Sequence, residues 1–182
     1  MKKRVSSGLI LAAVAAASLM VPGSALAAVE MFLKITDVTG ESKDAAHKDE
    51  IDVLAWSWGA SSGNAKTAKG GLPDACIQDL SLTKYIDSAS PQLILNAAFG
   101  TVAKEAVLTV RKAGEKPLEY LVLKMSDVLV TSYQTGGSGG EDRLTENVTL
   151  SFETLKGEYR KQKADGTLDK PIPFEVTGGV CK

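Results

Sequence analysis

A single histidine, His47, stands in a chain of 182 residues. A Ser-His-Asp triad would have to be built on it, with Asp44 or Asp49 as the orienting acid. A lone histidine in a polar loop is expected to be exposed, so no catalytic residue is assigned. Cysteine is also scarce. Cys76 and Cys181 are the only two, and with His47 they are too scattered for a zinc site, which needs clustered ligands. No metal or cofactor is expected. Two cysteines cannot make a disulfide-dependent scaffold, but one bridge is open to them, within the chain or between chains. There is no basic excess: the net charge is −1. Such a chain lacks the electrostatic footprint of a nucleic-acid binder and the polybasic stretch that holds anionic lipid. Its one basic cluster, Arg160-Lys161-Gln162-Lys163, reads as a solvated strand end. Apolar runs long enough to cross a bilayer, about 20 residues, are absent too.

The longest apolar run, Gly8 to Val21, lies at the N-terminus and has a different meaning. Lys2, Lys3 and Arg4 precede it, Pro22-Gly23 break it, and Ala25-Leu26-Ala27 follow. This is the layout of a secretory signal peptide cleaved after Ala27. The mature protein, residues 28–182, is then a single domain with no membrane contact, secreted or periplasmic. Residues 1–27 carry three of the 21 basic and none of the 22 acidic residues, so the remainder has a net charge of −4. Export also favours oxidation of Cys76 and Cys181.

The mature chain alternates like a β protein. Val29, Met31, Leu33 and Ile35 share one face of a first strand, Val29 to Asp37, with Phe32 the one apolar residue on the other. A second strand, Glu50 to Trp58, is apolar on both faces: Ile51, Val53 and Ala55 on one, Leu54, Trp56 and Trp58 on the other. The second face is expected to meet a neighbouring subunit, which makes Trp56 and Trp58 interface candidates. Gly59 to Pro73 reads as a long loop, and Ala75 to Tyr85 as a third strand. Ser90-Pro91 opens the one helix, with Ser90 as N-cap, a stripe of Leu93, Ile94, Ala97 and Ala98, and Gly100 closing it.

From Lys104 to Phe152 four strand-like runs follow, separated by Ala113 to Pro117, by Ser126-Asp127 and by a glycine-rich loop. That loop, Gly136-Gly137-Ser138-Gly139-Gly140, is no phosphate cradle. Glu141 and Asp142 follow it where a P-loop has Lys-Ser/Thr and a helix. It reads as a hairpin tip whose glycines permit positive φ. Val148, Leu150 and Phe152 face a core, and Ala164-Asp165-Gly166-Thr167 is a hairpin turn leading to a last strand near Ile172 to Val176. The expected fold is all-β: a two-sheet barrel or sandwich of about eight strands with one flanking helix.

Several segments carry a family resemblance. They are Met31 to Ile35, Gly40-Glu41-Ser42, His47 to Ile51, Trp56 to Gly59, Asp79 to Tyr85, Asp87, Ser90-Pro91, and above all Lys104 to Phe152. In order and spacing they resemble the haemolysin-coregulated protein (Hcp) family, the tube proteins of type VI secretion. The resemblance implies a two-sheet β-barrel with one flanking helix, and hexameric rings that stack into a hollow tube. The leader and the tail Pro171 to Lys182, which ends in Val180-Cys181-Lys182, depart from the family pattern. That tail favours a bridge between chains.

The expected function is therefore structural and not enzymatic. It is an exported Hcp-like protein whose partner is a second copy of itself, assembling into rings and stacked tubes or filaments outside the cytoplasm. One alternative is a type VI tube subunit or effector carrier, whose partners include the spike and effectors. Another is a periplasmic or extracellular ligand-binding ring. Trp56, Trp58 and Gly136, Gly137, Gly139 and Gly140 are the interface candidates, and the loops Gly59 to Pro73 and Gly136 to Asp142 are expected to meet the next ring.

Overall fold

The computed structural model describes residues 28–62, 75–114, 116–140 and 142–177. The proposed leader, most of the 59–73 loop and Cys181 lie outside these residues. Among the described residues the strands are β1 (Val29–Ile35), β2 (Ile51–Ser57), β3 (Ala60–Ser62), β4 (Ala75–Ile77), β5 (Leu80–Tyr85), β6 (Val102–Lys112), β7 (Leu118–Thr135), β8 (Thr145–Ser151), β9 (Thr154–Tyr159) and β10 (Ile172–Thr177), with one helix, α1 (Ser90–Phe99). Eight strands form one antiparallel sheet in the order β10-β9-β7-β6-β1-β2-β5-β8. A further β7–β8 pairing closes six of them into a barrel, leaving β9 and β10 as an extension. Leu33, Ile51, Leu80, Leu82, Leu108, Leu123, Met125, Val148 and Leu150 fill its interior.

The long β7 replaces two of the expected runs. Ser126-Asp127 does not break the strand. Asp127 adopts φ 51° and kinks it. Aspartate enters the left-handed region more readily than most residues, because its short polar side chain can bond locally. Residues Leu121–Ser126 pair with β9, and Leu129–Thr135 pair with β8. The expected third strand is likewise two, β4 and β5, and the start of the expected 59–73 loop is β3, paired to β4.

The expectation of two apolar faces on β2 is corrected by a β-bulge. The register with β5 shifts between Val53 and Ala55. Ile51 and Val53 point inward before the bulge, and Trp56 and Trp58 lean on the same core after it. A bulge adds one residue and so moves the later side chains to the other face. Phe32 is also buried, beneath the 40–50 loop. Gly40 permits that loop to turn back, because a Cβ there would lie 2.3 Å from the Glu50 carbonyl oxygen.

Helix α1 departs from expectation in two ways. Ala89 is the N-cap, and no side chain caps that position. Instead Asp87 Oδ1 accepts the Ala89 N–H at 2.9 Å, and Ser90 Oγ accepts the Asp87 N–H at 3.0 Å. Leu93 and Asn96 face the barrel, while Ile94 is exposed. Gly100 closes the helix at φ 66°, as the sequence implies. The 164–167 turn is a three-residue hairpin with Gly166 at φ 82°, held by Lys163 N–H to Thr167 O at 2.8 Å.

Two charge clusters fix the loops to the barrel. In the first, Lys84 is 0% exposed. Its Nζ donates to Glu146 Oε1 at 2.7 Å, Asp87 Oδ1 at 2.6 Å and the Tyr85 carbonyl at 2.8 Å. Tyr133 donates to the other oxygen of Glu146 at 2.5 Å. This joins β5, β7, β8 and the entry to α1. Burial, then the hydrogen bond to Glu146, pushes the Tyr133 phenol up to about 12. In the second cluster Arg111 grips both oxygens of Asp44, donates to Glu30 at 2.7 Å and lies 4.7 Å over the Phe32 ring. The Arg111 bond holds the Asp44 carboxyl down at about 2, against the opposing effect of burial. His47 is buried, contrary to expectation, and stacks on Phe32 at 4.3 Å. Its Nδ1 is 2.9 Å from Glu50 and its Nε2 is 3.4 Å from Glu119.

Removing Lys84 strands two carboxylates. Lys84→Met is expected to cost about 3–5 kcal/mol in urea unfolding, the usual penalty for breaking a buried pair from one side. Adding Glu146→Leu should recover part of it, and equal stability of the single variant and wild type would contradict the assignment. Tyr133 gives a pH test. Between about pH 10 and 12 the folded protein keeps a phenol proton that the unfolded chain has lost. Its contribution to stability is therefore full below about 10 and lost as pH rises towards about 12. Ultraviolet titration should show one tyrosine ionising late, and Tyr133→Phe should remove that step.

Candidate assembly surface

The described surface is notable for large apolar side chains with nothing over them. Helix α1 presents Ile94, Leu95 and Phe99 to solvent, with Val102 just beyond, and Phe99 is 78% exposed. The sequence SPQLILNAAF explains why. A ten-residue helix resting one narrow face on a barrel can cover Leu93 and Asn96, yet its apolar residues run around most of its circumference. The expected stripe was too narrow a reading. Apolar residues on every side are the signal that a second contact is needed, and that signal was present in the sequence.

A second apolar area lies on the β9–β10 extension, where Tyr159, Ile172 and Phe174 are exposed. Phe174 sits opposite Gly157, and a Cβ on Gly157 would lie 2.0 Å from the ring. Glycine there lets the aromatic ring cover the neighbouring strand. Pro173 in β10 offers no backbone N–H, which suits a strand at the edge of the sheet. None of these residues was singled out from sequence, because the pairing that exposes them depends on β7 changing partner.

The sequence-derived candidates fall in two places. Trp56 and Trp58 are partly buried against their own core, and the Trp58 indole N–H, buried itself, finds no acceptor among the described residues. Gly136, Gly137, Gly139 and Gly140 form an exposed tip beyond β7, with Gly140 at φ 104°. A Cβ on Gly137 would lie 2.5 Å from Leu144 Cδ2, so the glycine makes room for that side chain. The tip is pinned at its base, where Ile86 N–H donates to the Leu144 carbonyl at 2.9 Å and Arg143 stacks at 4.1 Å on Tyr85. The structure does not bring the tryptophans and the glycine tip together into one patch. Cys76 lies in β4 and is disulfide-bonded.

The polar features are engaged internally. An open groove of about 410 Å³ runs beside Arg111, lined by Glu30, Phe32, Asp44 and Asp52, but its guanidinium is already occupied by Glu30 and Asp44. Both ring nitrogens of His47 face carboxylates, and no serine hydroxyl is among its hydrogen-bond partners. Among the described residues no group of three or more His, Cys, Asp or Glu side chains is placed to hold a metal ion, and no helix is long and apolar enough to cross a membrane.

Comparison with known proteins agrees with this geometry. Residues 32–159 match the family described as type VI secretion system effector, Hcp. The chain is similar to Protein hcp1 of Pseudomonas aeruginosa, 54% identical over 145 residues that cover 78% of this chain and 90% of that one. Among solved structures it is similar to a type six secretion system protein, with TM-score 0.76 and 30% identity, over 82% of this chain and 96% of the other. It is also similar to Hcp1 from Salmonella typhimurium, with TM-score 0.66 and 35% identity, over 82% and 94%. With the barrel, its single helix and the matched span in agreement, the chain belongs to the Hcp family of type VI secretion proteins.

Proposed function

We propose that this protein is a ring-forming structural subunit, assembling as hexamers that stack into tubes, and that its leader carries it out of the cytoplasm. The observation that supports self-assembly most directly is the uncovered apolar surface of α1 and the β9–β10 extension, in a chain whose barrel interior is filled by buried apolar side chains. Two separate apolar areas on one protomer suit a closed ring, where each copy gives one surface and receives another. The second reading is a tube subunit of a type VI machine, built in the cytoplasm with residues 1–27 retained. The 54% identity to Protein hcp1 favours it. The two readings share the ring and differ in the leader.

We also infer that Cys76 pairs with Cys181 inside one chain. The bond at Cys76 in a single protomer supports internal pairing over the staple between neighbours that the tail favours from sequence alone. Such a bridge closes a loop of about 105 residues and contributes up to about 4–5 kcal/mol by loop-closure estimates.

Protein purified from its producing cell should begin at Ala28 by N-terminal sequencing, and a start at Met1 would select the cytoplasmic reading. Light scattering should give a multiple of the protomer mass, and a monomer at every concentration would overturn the ring. Phe99→Ser should weaken association by about tenfold or more, as expected for an aromatic anchor. It should leave urea stability within about 0.5 kcal/mol, since the side chain is mostly outside the protomer. On non-reducing gels the protein should run as a single protomer band whose mobility falls on reduction. A ladder that collapses with reductant would instead show a bridge between chains.

A further inference from the structure

We propose, on the leader reading above, that the leader can be removed only before β1 docks on β6. Processing and folding then compete for the same few residues, and a precursor that folds first keeps residues 1–27.

The bond to be cut is Ala27–Ala28, chosen by the small residues Ala25 and Ala27. No linker separates it from the barrel. The Ala28 carbonyl accepts the Ala113 N–H at 2.8 Å. β1 starts at the next residue, where Val29 pairs with Lys112, Glu30 with Arg111 and Met31 with Val110, and the pairing runs unbroken to Ile35. Glu30 is held a second time, by Arg111 Nε at 2.7 Å, and the same guanidinium grips Asp44 of the 40–50 loop. In the sheet, β1 lies between β6 and β2 and is not an edge strand. Its first residues are therefore fastened by backbone and by charge from the position where the mature chain would begin.

Hydrolysis makes a conflicting demand on the same residues. Water adds to the Ala27 carbonyl and the C–N bond breaks. Ala27 leaves as a carboxylate, and the Ala28 nitrogen takes the proton to become the new amino terminus. An endopeptidase has to take the chain on both sides of that bond into its cleft, extended and bonded along its backbone. On the downstream side those residues are Ala28 and Val29, which the folded protein has committed to β6. A cleft cannot close around a strand that is part of a barrel wall. Cutting the folded precursor must wait for the start of β1 to open, and its rate follows the open fraction. Each backbone bond that has to break lowers that fraction by roughly two- to tenfold, and a charge-assisted bond such as Arg111 to Glu30 by more. The exported and the full-length cytoplasmic forms then do not interconvert once folded. Whichever event comes first, cleavage or β1–β6 pairing, decides between them.

The test uses the full chain in detergent with a purified leader peptidase and compares two orders of addition. In one, the precursor is diluted from concentrated urea straight into the peptidase. In the other it refolds first, as checked by circular dichroism. A variant carries Gly-Ser-Gly-Ser inserted between Ala28 and Val29, which keeps residues 25–28 and moves the bond about 13 Å from the barrel at about 3.3 Å per residue. Products are read by mass spectrometry. Unfolded wild type and unfolded variant should both be cut after Ala27. After refolding, wild type should be cut about thirtyfold or more slowly, and the variant within about threefold of its unfolded rate. If refolded wild type is cut as fast as the unfolded chain, or the refolded variant stays as resistant as wild type, the strand does not guard the bond and the proposal falls alone. If neither unfolded chain is cut after Ala27, the leader reading falls and takes the proposal with it.

Discussion

One edge of β7 has to serve two partners. Its first half bonds to β9 and its second half to β8, and the change occurs at the kink of Asp127. Were that edge to pair with β9 along its whole length, β8 would have nothing to close against and the barrel would remain an open sheet. Were it to pair only with β8, the β9–β10 extension would have no strand to grow from. A closed barrel has no free edge, whereas an extension must have one. The protein has both because a single residue tolerates a left-handed conformation in the middle of an 18-residue strand. The exposed Tyr159, Ile172 and Phe174 follow from that division.

Charge does the fastening elsewhere. Most of the barrel interior is aliphatic, yet the segments laid across its outside and its ends are held by buried ions. Lys84 with Glu146 and Asp87 fixes the approach to α1, and Arg111 with Asp44 and Glu30 fixes the 40–50 loop over Phe32. Buried ion pairs add little net stability compared with well-packed apolar residues of the same volume. Their geometry is nonetheless demanding, because a displaced partner leaves an unpaired charge. Loops held this way have few alternative positions.

The strand content, the single helix with its Gly100 closure, the alternation of β1 and β8 and the family likeness were all legible in the sequence, since each is written in local periodicity. The misreadings had a common cause. Ser126-Asp127 looked like a break and proved a kink, and Val53 to Ala55 looked like plain alternation and proved a bulge. A one-residue irregularity reverses every later side chain, and composition cannot locate it. That is why Trp56 and Trp58, read as lying opposite Ile51 and Val53, pack partly against the same core. His47 and Phe32 were misplaced for another reason. Their burial comes from each other and from Arg111, three residues far apart in sequence. The glycine tip was placed correctly, because exposed glycine runs need only local geometry.

The two kinds of surface on this protomer differ in a way that bears on how an assembly could be built and taken apart. The sides are apolar: α1 offers Ile94, Leu95 and Phe99, and the extension offers Tyr159, Ile172 and Phe174. Apolar contact depends on buried area and is little affected by moderate salt. The charged side chains of the 160–163 run are instead partly paired within the chain, Arg160 with Glu158 and Lys163 with Asp169. Electrostatic contacts at exposed rims set encounter rate and register more than depth of binding. In the proposed ring, the contacts that depend on buried area belong to α1 and to the β9–β10 extension.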